Sequence, residues 1–156
     1  MTDIAQFSRN IRKRGRQVVN SSSEAVRRSA RVALKSVVLS TKVDTGQARS
    51  NWRVGAGAAP TAVIKAYVQY RKGSKGNGAG IAESANAAAT IAAGVAKINS
   101  VRGVSGVGLK TAIILTNNVS WLDRATPAGI LQIATREAQG SLRGFRIFSR
   151  ANSGDK

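Results

Sequence analysis

The stretch KVDTGQARSNW, residues 42–52, decides how the chain folds because it stands between a long helical pattern and the first strand-like pattern. Its Asp44-Thr45-Gly46 triplet predicts a tight turn, in which the Asp44 side chain accepts hydrogen bonds from backbone N–H groups and Gly46 adopts a positive φ. The same triplet presents the catalytic carboxylate in aspartic proteases, which need two carboxylates about 3 Å apart. One copy leaves only a symmetric dimer for that chemistry, so we favour the turn. We expect Asp44→Ala to impair folding or assembly, with a loss of about 1 kcal/mol in stability if the lost cap is typical.

The first forty residues, before this turn, predict helix. One apolar set falls on a single helical side, namely Ile4, Phe7, Ile11, Val18 and Ala25. A second stripe is rotated by roughly a quarter turn and consists of Val26, Ala30, Ala33 and Val37. The shift coincides with NSSSE, residues 20–24, whose Ser21 and Glu24 form a capping pattern. The pattern therefore fits either one kinked helix or two helices. A continuous helix would be about 55 Å long, which favours packing between subunits.

Strand-like patterns follow the turn in SNWRVGAG and TAVIKAYVQY, and a third stands in TAIILTNN, residues 111–118. In the second of them, alternate residues from Ala62 to Tyr70 form one apolar face. Between Gly-rich links lies an Ala-rich helix whose predicted buried face is Ile81, Ala85, Ala88, Ile91, Val95 and Ile98. A last helix is predicted with Thr126 as its cap and Pro127 at its first position. Its predicted buried face is Ile130, Ile133, Ala134 and Ala138.

This order of elements predicts an α+β fold. We expect a small, mostly antiparallel sheet of about three to four strands, packed by the long N-terminal helix, the inserted Ala-rich helix and the C-terminal helix. Residues 1–140 would form a single domain, with residues 71–110 as an insertion containing the Gly-rich loops and the helix. Residues 141–156 would form a basic C-terminal tail.

Composition argues against catalysis. The sequence has no cysteine and no histidine, which removes thiolate chemistry, the commonest general base and the commonest metal ligand. Aromatic residues make up 4% of the chain, so we expect a thin core that neighbouring subunits complete. No apolar run reaches about 18 residues, so we expect no membrane span. We predict that the protein is not an enzyme and needs no cofactor or metal.

Positive charge is the strongest compositional signal, because 25 Lys and Arg stand against 7 Asp and Glu, a formal net charge of +18. Such a field attracts polyanions and acidic protein surfaces. A run of cations is usually a solvated helix face, but no interleaved glutamate balances the run in residues 9–16. Candidate contacts to DNA or to a partner ring are Arg9, Arg12, Lys13, Arg14, Arg16, Arg27, Arg31, Arg71, Lys72, Lys75, Arg143, Arg146 and Arg150.

Two segments and their order carry a resemblance to a known family. VDTGQARSNWRVG supplies Val43, Gly46, Arg49, Ser50 and Trp52, and IILTNNVSWLDRATPAG supplies Asn117, Asn118, Trp121 and Leu122. With the basic N-terminal helix, the inserted helix and the C-terminal helix around them, the sequence resembles the tail-completion (neck) proteins of long-tailed double-stranded-DNA bacteriophages, the lambda minor tail protein Z-like family. Each motif alone is short; their order and spacing across residues 3–140 carry the likeness.

The resemblance implies a structural virion protein at the head–tail junction that helps to join head to tail. It implies a homo-oligomeric ring, a hexamer in preference to a dodecamer, that is made in the bacterial cytoplasm. Its partners would be a portal-side adaptor or stopper, a tail terminator or tube, and, through non-specific contact, genomic double-stranded DNA. Two alternatives stand beside this interpretation: a nucleoid-type protein that binds DNA without sequence preference, and the aspartic protease dimer.

Overall fold

A computed structural model describes residues 4–42, 46–69, 77–101 and 111–143 of the chain. In chain order its helices and strands are α1 (Ile4–Ser40), α2 (Gln47–Ser50), β1 (Arg53–Ala56), α3 (Asn77–Ser100), β2 (Ile113–Thr116), α4 (Leu122–Ala125) and α5 (Ile130–Gly140). The predicted α+β class is confirmed. Within the described residues, no helix is both long and apolar enough to cross a membrane.

Helix α1 is a single continuous helix of 37 residues, which decides between the two alternatives left open by the NSSSE stretch. Its second half is the part that packs, with Leu34, Val37 and Val38 almost completely buried. Helices α3 and α5 both lie against it. Most helical stability in proteins comes from tertiary packing. Packing of the second half can therefore stabilise a helix that continues across the serines of residues 21–23, although serine has only a modest helix propensity.

The sheet has two antiparallel strands in the described residues, fewer than the predicted three to four. Strand β1 pairs with β2 so that Arg53 lies opposite Thr116 and Ala56 opposite Ile113. The strand predicted over residues 61–70 is wrong for residues 61–69, which form no ladder with either strand. The apolar residues do alternate there, but side chains rather than a neighbouring strand bind the backbone of this segment.

The core lies where α1, α3, α5 and β1 meet. Its buried residues are Leu34, Val37, Val38, Trp52, Val54, Ala87, Ile98, Ile130 and Ala134. Gly94 of α3 permits the close approach of this helix, because a Cβ added there would stand 2.4 Å from Leu34 Cδ2 and 3.1 Å from Val54 Cγ2.

The predicted buried face of α3 is partly wrong. Ile98 is buried, but Ile81 is 70% exposed and Ala88 is exposed. The face that α3 turns inward instead contains Ala82, Asn86, Ala87, Thr90, Gly94 and Ile98. Alanine is common on every side of this helix, so the inward face is set by the close approach at Gly94 and by buried hydrogen bonds.

The start of α5 also differs from the prediction. The helix begins at Ile130 rather than Pro127, and Gly129 precedes it with φ +80°. Thr126 belongs to the end of α4, where its hydroxyl donates to the Leu122 carbonyl at 3.0 Å. Within α5, Ile130 and Ala134 are buried as predicted and Ile133 is 46% exposed. A residue in the left-handed region cannot continue a helix, so Gly129 separates the two helices.

Candidate functional site

Arg49, in α2, is buried although it is charged, with 6% of its surface exposed. Its guanidinium donates to the carbonyls of Thr41 at 2.7 Å and of Leu39 at 3.4 Å, at the end of α1. It also forms an ion pair with Glu83 of α3 at 3.0 Å. A cation at a helix C-terminus satisfies carbonyls that lack a partner within the helix and interacts favourably with the helix dipole. Arg49 therefore joins α1, α2 and α3.

Trp52 binds the same end of α1. Its indole Nε1 donates to Thr41 Oγ1 at 2.7 Å, and that hydroxyl in turn donates to the Val37 carbonyl at 2.6 Å. Thr41 is fully buried and Trp52 is 5% exposed. Buried indole N–H groups need a partner, and this one fixes the tryptophan in the core.

Asn86 of α3 holds the backbone of Val68. Its Oδ1 accepts from the Val68 N–H and its Nδ2 donates to the Val68 carbonyl, each at 2.8 Å. Ser50 Oγ also donates to Asn86 Oδ1 at 3.0 Å, and it accepts from the Tyr67 N–H at 3.3 Å. A carboxamide that bonds both polar groups of one residue reproduces the exchange made by a hydrogen-bonded pair of antiparallel residues.

Asn51 makes the same pair of hydrogen bonds with Ile64, which lies four residues before Val68. Its Oδ1 accepts from the Ile64 N–H at 2.7 Å and its Nδ2 donates to the Ile64 carbonyl at 2.8 Å. Both asparagine side chains belong to fully buried residues. The segment of residues 61–69 is thus fastened at two points by side-chain amides.

The two segments that carry the family resemblance contact each other. Asn117 Nδ2 donates to the Ala48 carbonyl at 2.7 Å, so the residue after β2 binds α2. Asn118 Nδ2 donates to the Pro60 carbonyl at 2.6 Å. Nearby, Trp121 and Leu122 are half-buried at the start of α4. The structure therefore brings together Arg49, Ser50, Trp52 and Asn117 within the body, with Asn118 at an exposed bond beside them.

Gly46 adopts φ +78°, which confirms the positive φ predicted for the turn. An added Cβ there would also meet Asn86 Nδ2 at 2.5 Å. Val43, Asp44 and Thr45 lie outside the described residues, so the predicted role of Asp44 stays a prediction.

The predicted basic residues fall into two groups in the described part of α1. We call residues 4–17 the α1 arm, because all of them are exposed. A shallow depression along it is lined by Arg9, Arg12, Lys13, Arg16, Gln17 and Asn20. In the described residues, no hydrogen bond or ion pair engages the side chains of the arm's five cations, which are Arg9, Arg12, Lys13, Arg14 and Arg16.

The second group is engaged within the chain. Arg31 pairs with Glu24, and Arg27 donates to the Val101 carbonyl at 2.7 Å and lies 3.7 Å from the Glu24 carboxylate. Arg143 is exposed after the end of α5. The remaining basic candidates lie outside the described residues, and they are Arg71, Lys72, Lys75, Arg146 and Arg150.

The arrangement offers buried structural links and an exposed cationic surface. No group of three or more Asp or Glu side chains able to hold a metal ion occurs in the described residues. Comparisons of the chain with family models, curated proteins and solved structures gave no match.

Sequence reasoning missed Asn51, Asn86 and Thr41, which carry much of this network. One signal was available for Asn86: it interrupts the Ala-rich run AESANAAAT, where asparagine is a poorer helix former than its neighbours. A polar residue retained in an otherwise apolar helix usually has a hydrogen-bond partner when it is buried.

Proposed function

We propose that this protein is a non-catalytic structural subunit that forms a ring at the head–tail junction of a tailed bacteriophage and helps to join head to tail. A hexamer is the stoichiometry we favour. Its neighbours would be a portal-side adaptor or stopper and a tail terminator or tube. The observation that carries the proposal is the apolar stripe of Ile4, Phe7 and Ile11 on the α1 arm, which is exposed in a single copy of the chain.

The α1 arm is about 21 Å long by its rise per residue, and it exposes an apolar stripe. Ile4, Phe7 and Ile11 are 82%, 62% and 54% exposed, and they fall within about 60° of one another around the helix. Exposed apolar side chains that share one helical side are typical of a protein–protein contact surface. Burial of the stripe against a neighbouring copy would stabilise the arm and close a ring.

The opposite side of the arm is cationic. Arg9, Arg12, Lys13 and Arg16 lie roughly 100–180° from the centre of the apolar stripe, and no Asp or Glu occurs from Ile4 to Ser23. If the apolar stripe is covered by another subunit, this side remains free for phosphates of DNA in the lumen or for acidic surfaces of an adjoining ring. Such a partner would also reduce repulsion between copies.

The motif residues support a structural role. Arg49, Ser50, Trp52 and Asn117 direct their polar atoms to carbonyls, hydroxyls and amides of the chain itself. Such a network fixes the positions of segments around a thin core, which suits a subunit that must present rigid surfaces to its neighbours.

Assembly tests the ring. We expect sedimentation velocity and negative-stain electron microscopy to show rings of the wild-type protein at micromolar concentration. Replacement of Phe7 and Ile11 by serine should abolish rings while leaving the circular dichroism of the body intact. The matched control replaces Arg9 and Lys13 by glutamine, and it should retain rings. A monomer in every condition, or rings in the serine variant, would contradict the proposal.

A second experiment tests whether the protein is located at the head–tail junction of the virion. Mass spectrometry of purified virions should detect the protein, and antibody labelling should mark the head–tail junction. Absence from virions would overturn the neck assignment even if rings form.

A nucleoid-type DNA-binding protein is the second candidate, favoured by the unpaired cations of the α1 arm. In that case a monomer or dimer should bind duplex DNA of any sequence, with log K falling by about 0.9 per log unit of salt for each phosphate neutralised. The variant with glutamine at positions 9 and 13 loses about two phosphate contacts, so its log K should fall less steeply with log salt concentration, by about 1.8 per log unit. Salt-dependent DNA binding without rings or virion incorporation would favour this candidate.

A further inference from the structure

The segment of residues 61–69 is bound to the body by the polar groups of alternate residues. The carbonyls of Pro60 and Ala62 accept from Asn118 and Arg53. Both backbone groups of Ile64 then bond Asn51, and both groups of Val68 bond Asn86. The bonds at Pro60, Ala62 and Ile64 repeat at a period of two, which is the period of an extended chain, and the chain bends at Tyr67, whose N–H also bonds Ser50 Oγ.

The residues between these points turn their backbone the other way. In an extended chain, successive residues direct their N–H and C=O groups to opposite sides. Because Ile64 faces the body, the backbone groups of Val63 and Lys65 face outward. Among the described residues, no backbone–backbone hydrogen bond involves residues 61–69. The result is an extended backbone edge that has no hydrogen-bonded neighbour among the described residues.

The side chains along this edge are also accessible. Val63 and Tyr67 are 47% and 48% exposed, and Lys65 is exposed. The stretch AVIKAYV is rich in residues that favour strands. An exposed edge with strand-forming residues is a template for another extended chain.

We propose that this edge binds an extended segment of another protein, in which acidic residues alternate with apolar ones, by antiparallel β-augmentation. Main-chain hydrogen bonds to Val63 and Lys65 would supply affinity, and side chains would supply selectivity. The proposal does not depend on the neck assignment.

Charge selects this occupant over a second copy of the same edge. From Gly46 to Ala82 the sequence contains no Asp or Glu, and the edge itself carries the exposed cation Lys65. Two such edges would bring like charges together, which destabilises cross-strand pairing. An acidic residue paired with Lys65 would share its face of the new ladder, and the apolar residues between would lie beside the half-buried Ile64 and Ala66.

A fluorescent nine-residue peptide that alternates glutamate with valine is the probe, measured by fluorescence anisotropy with the full chain. Glutamate paired with Val63 and Lys65 would direct its N–H toward the edge. N-methylation of the glutamates should therefore weaken binding about tenfold or more, and N-methylation of the valines should leave it nearly unchanged. The two peptides have the same charge, so equal binding would overturn the proposal, as would no binding of the parent peptide.

Two substitutions test the same edge from the protein side. Lys65→Pro removes an outward N–H and keeps the preceding residue extended, so it should weaken peptide binding about tenfold. Lys65→Gln removes the charge but keeps the N–H, and it should weaken binding less. Equal affinity of the two variants would overturn the proposal, and so would loss of a self-associated state in Lys65→Pro without any effect on the peptide. The N-methylated peptides still decide the question if Lys65→Pro does not fold.

Discussion

Substitution of Gly94 by alanine should destabilise the protein although it removes a glycine from the interior of a helix. The added Cβ would stand 2.4 Å from Leu34 Cδ2, whereas carbon atoms in good contact are about 3.5–4.0 Å apart. Leu34 has no exposed surface and cannot turn away into solvent. Overpacking of this kind costs about 1–3 kcal/mol, against about 1 kcal/mol gained in helix propensity. We expect a net loss of up to about 2 kcal/mol.

Gly80 of the same helix is the matched control, because a Cβ added there meets nothing within 4 Å. Gly80→Ala should stabilise the protein by up to about 1 kcal/mol. For a chain of this size, 1 kcal/mol corresponds to about 2–4 °C in Tm. Thermal unfolding followed by circular dichroism should therefore give shifts of opposite sign for the two alanines.

The Leu34→Ala background identifies the cause. Truncation of Leu34 alone should cost about 2–5 kcal/mol because it leaves a cavity. In that background the contact with Leu34 is gone and only Val54 Cγ2, at 3.1 Å, stays close to the added Cβ, so Gly94→Ala should be much less destabilising than in the wild-type protein, or stabilising. A rise in Tm for Gly94→Ala as large as that for Gly80→Ala would contradict a clash with Leu34, and so would an equal effect of Gly94→Ala with and without Leu34.

Two further substitutions test the internal network by urea unfolding. Asn86→Ala leaves both backbone groups of Val68 without their partner, so it should lower the free energy of unfolding by about 2–4 kcal/mol and speed tryptic cleavage after Lys65 in the native protein. The control Asn118→Ala removes a more exposed bond and should cost less than about 1 kcal/mol. Equal costs for the two variants would contradict the role given to Asn86. Arg49→Met removes a buried cation that caps α1 and should cost about 2–4 kcal/mol, and a neutral result would mean that water replaces the guanidinium.

Local rules predicted the features that depend on one or two residues. The glycine of the DTG turn needed a positive φ and Gly46 has one. The long apolar periodicity predicted α1, and strand-forming residues predicted β1 and β2. The pairing of β1 with β2 was not predicted, because the sequence placed another strand-like segment, residues 61–70, between them.

Features that depend on distant partners were beyond such rules. Period-two alternation cannot tell whether the partner of a strand-like segment is another strand or the side chains of Asn51 and Asn86. In α3, alanine occurs on every side, so the sequence does not indicate which face is buried. The face that turns inward is the one where Gly94 allows the helix to lie close to Leu34 and Val54. The Thr126-Pro127 pair is typical of a helix start, but Gly129 lies in the left-handed region and α5 therefore begins after it, at Ile130.

The two asparagine contacts have a consequence for how this surface can change. Asn51 and Asn86 bind backbone atoms, which all amino acids except proline present in the same form. The side chains at positions 63, 65 and 67 can therefore be exchanged without altering how the segment is held. A different set of outward side chains would give the same fold a different binding preference, so this edge is a place where partner choice can diverge while the body stays constant.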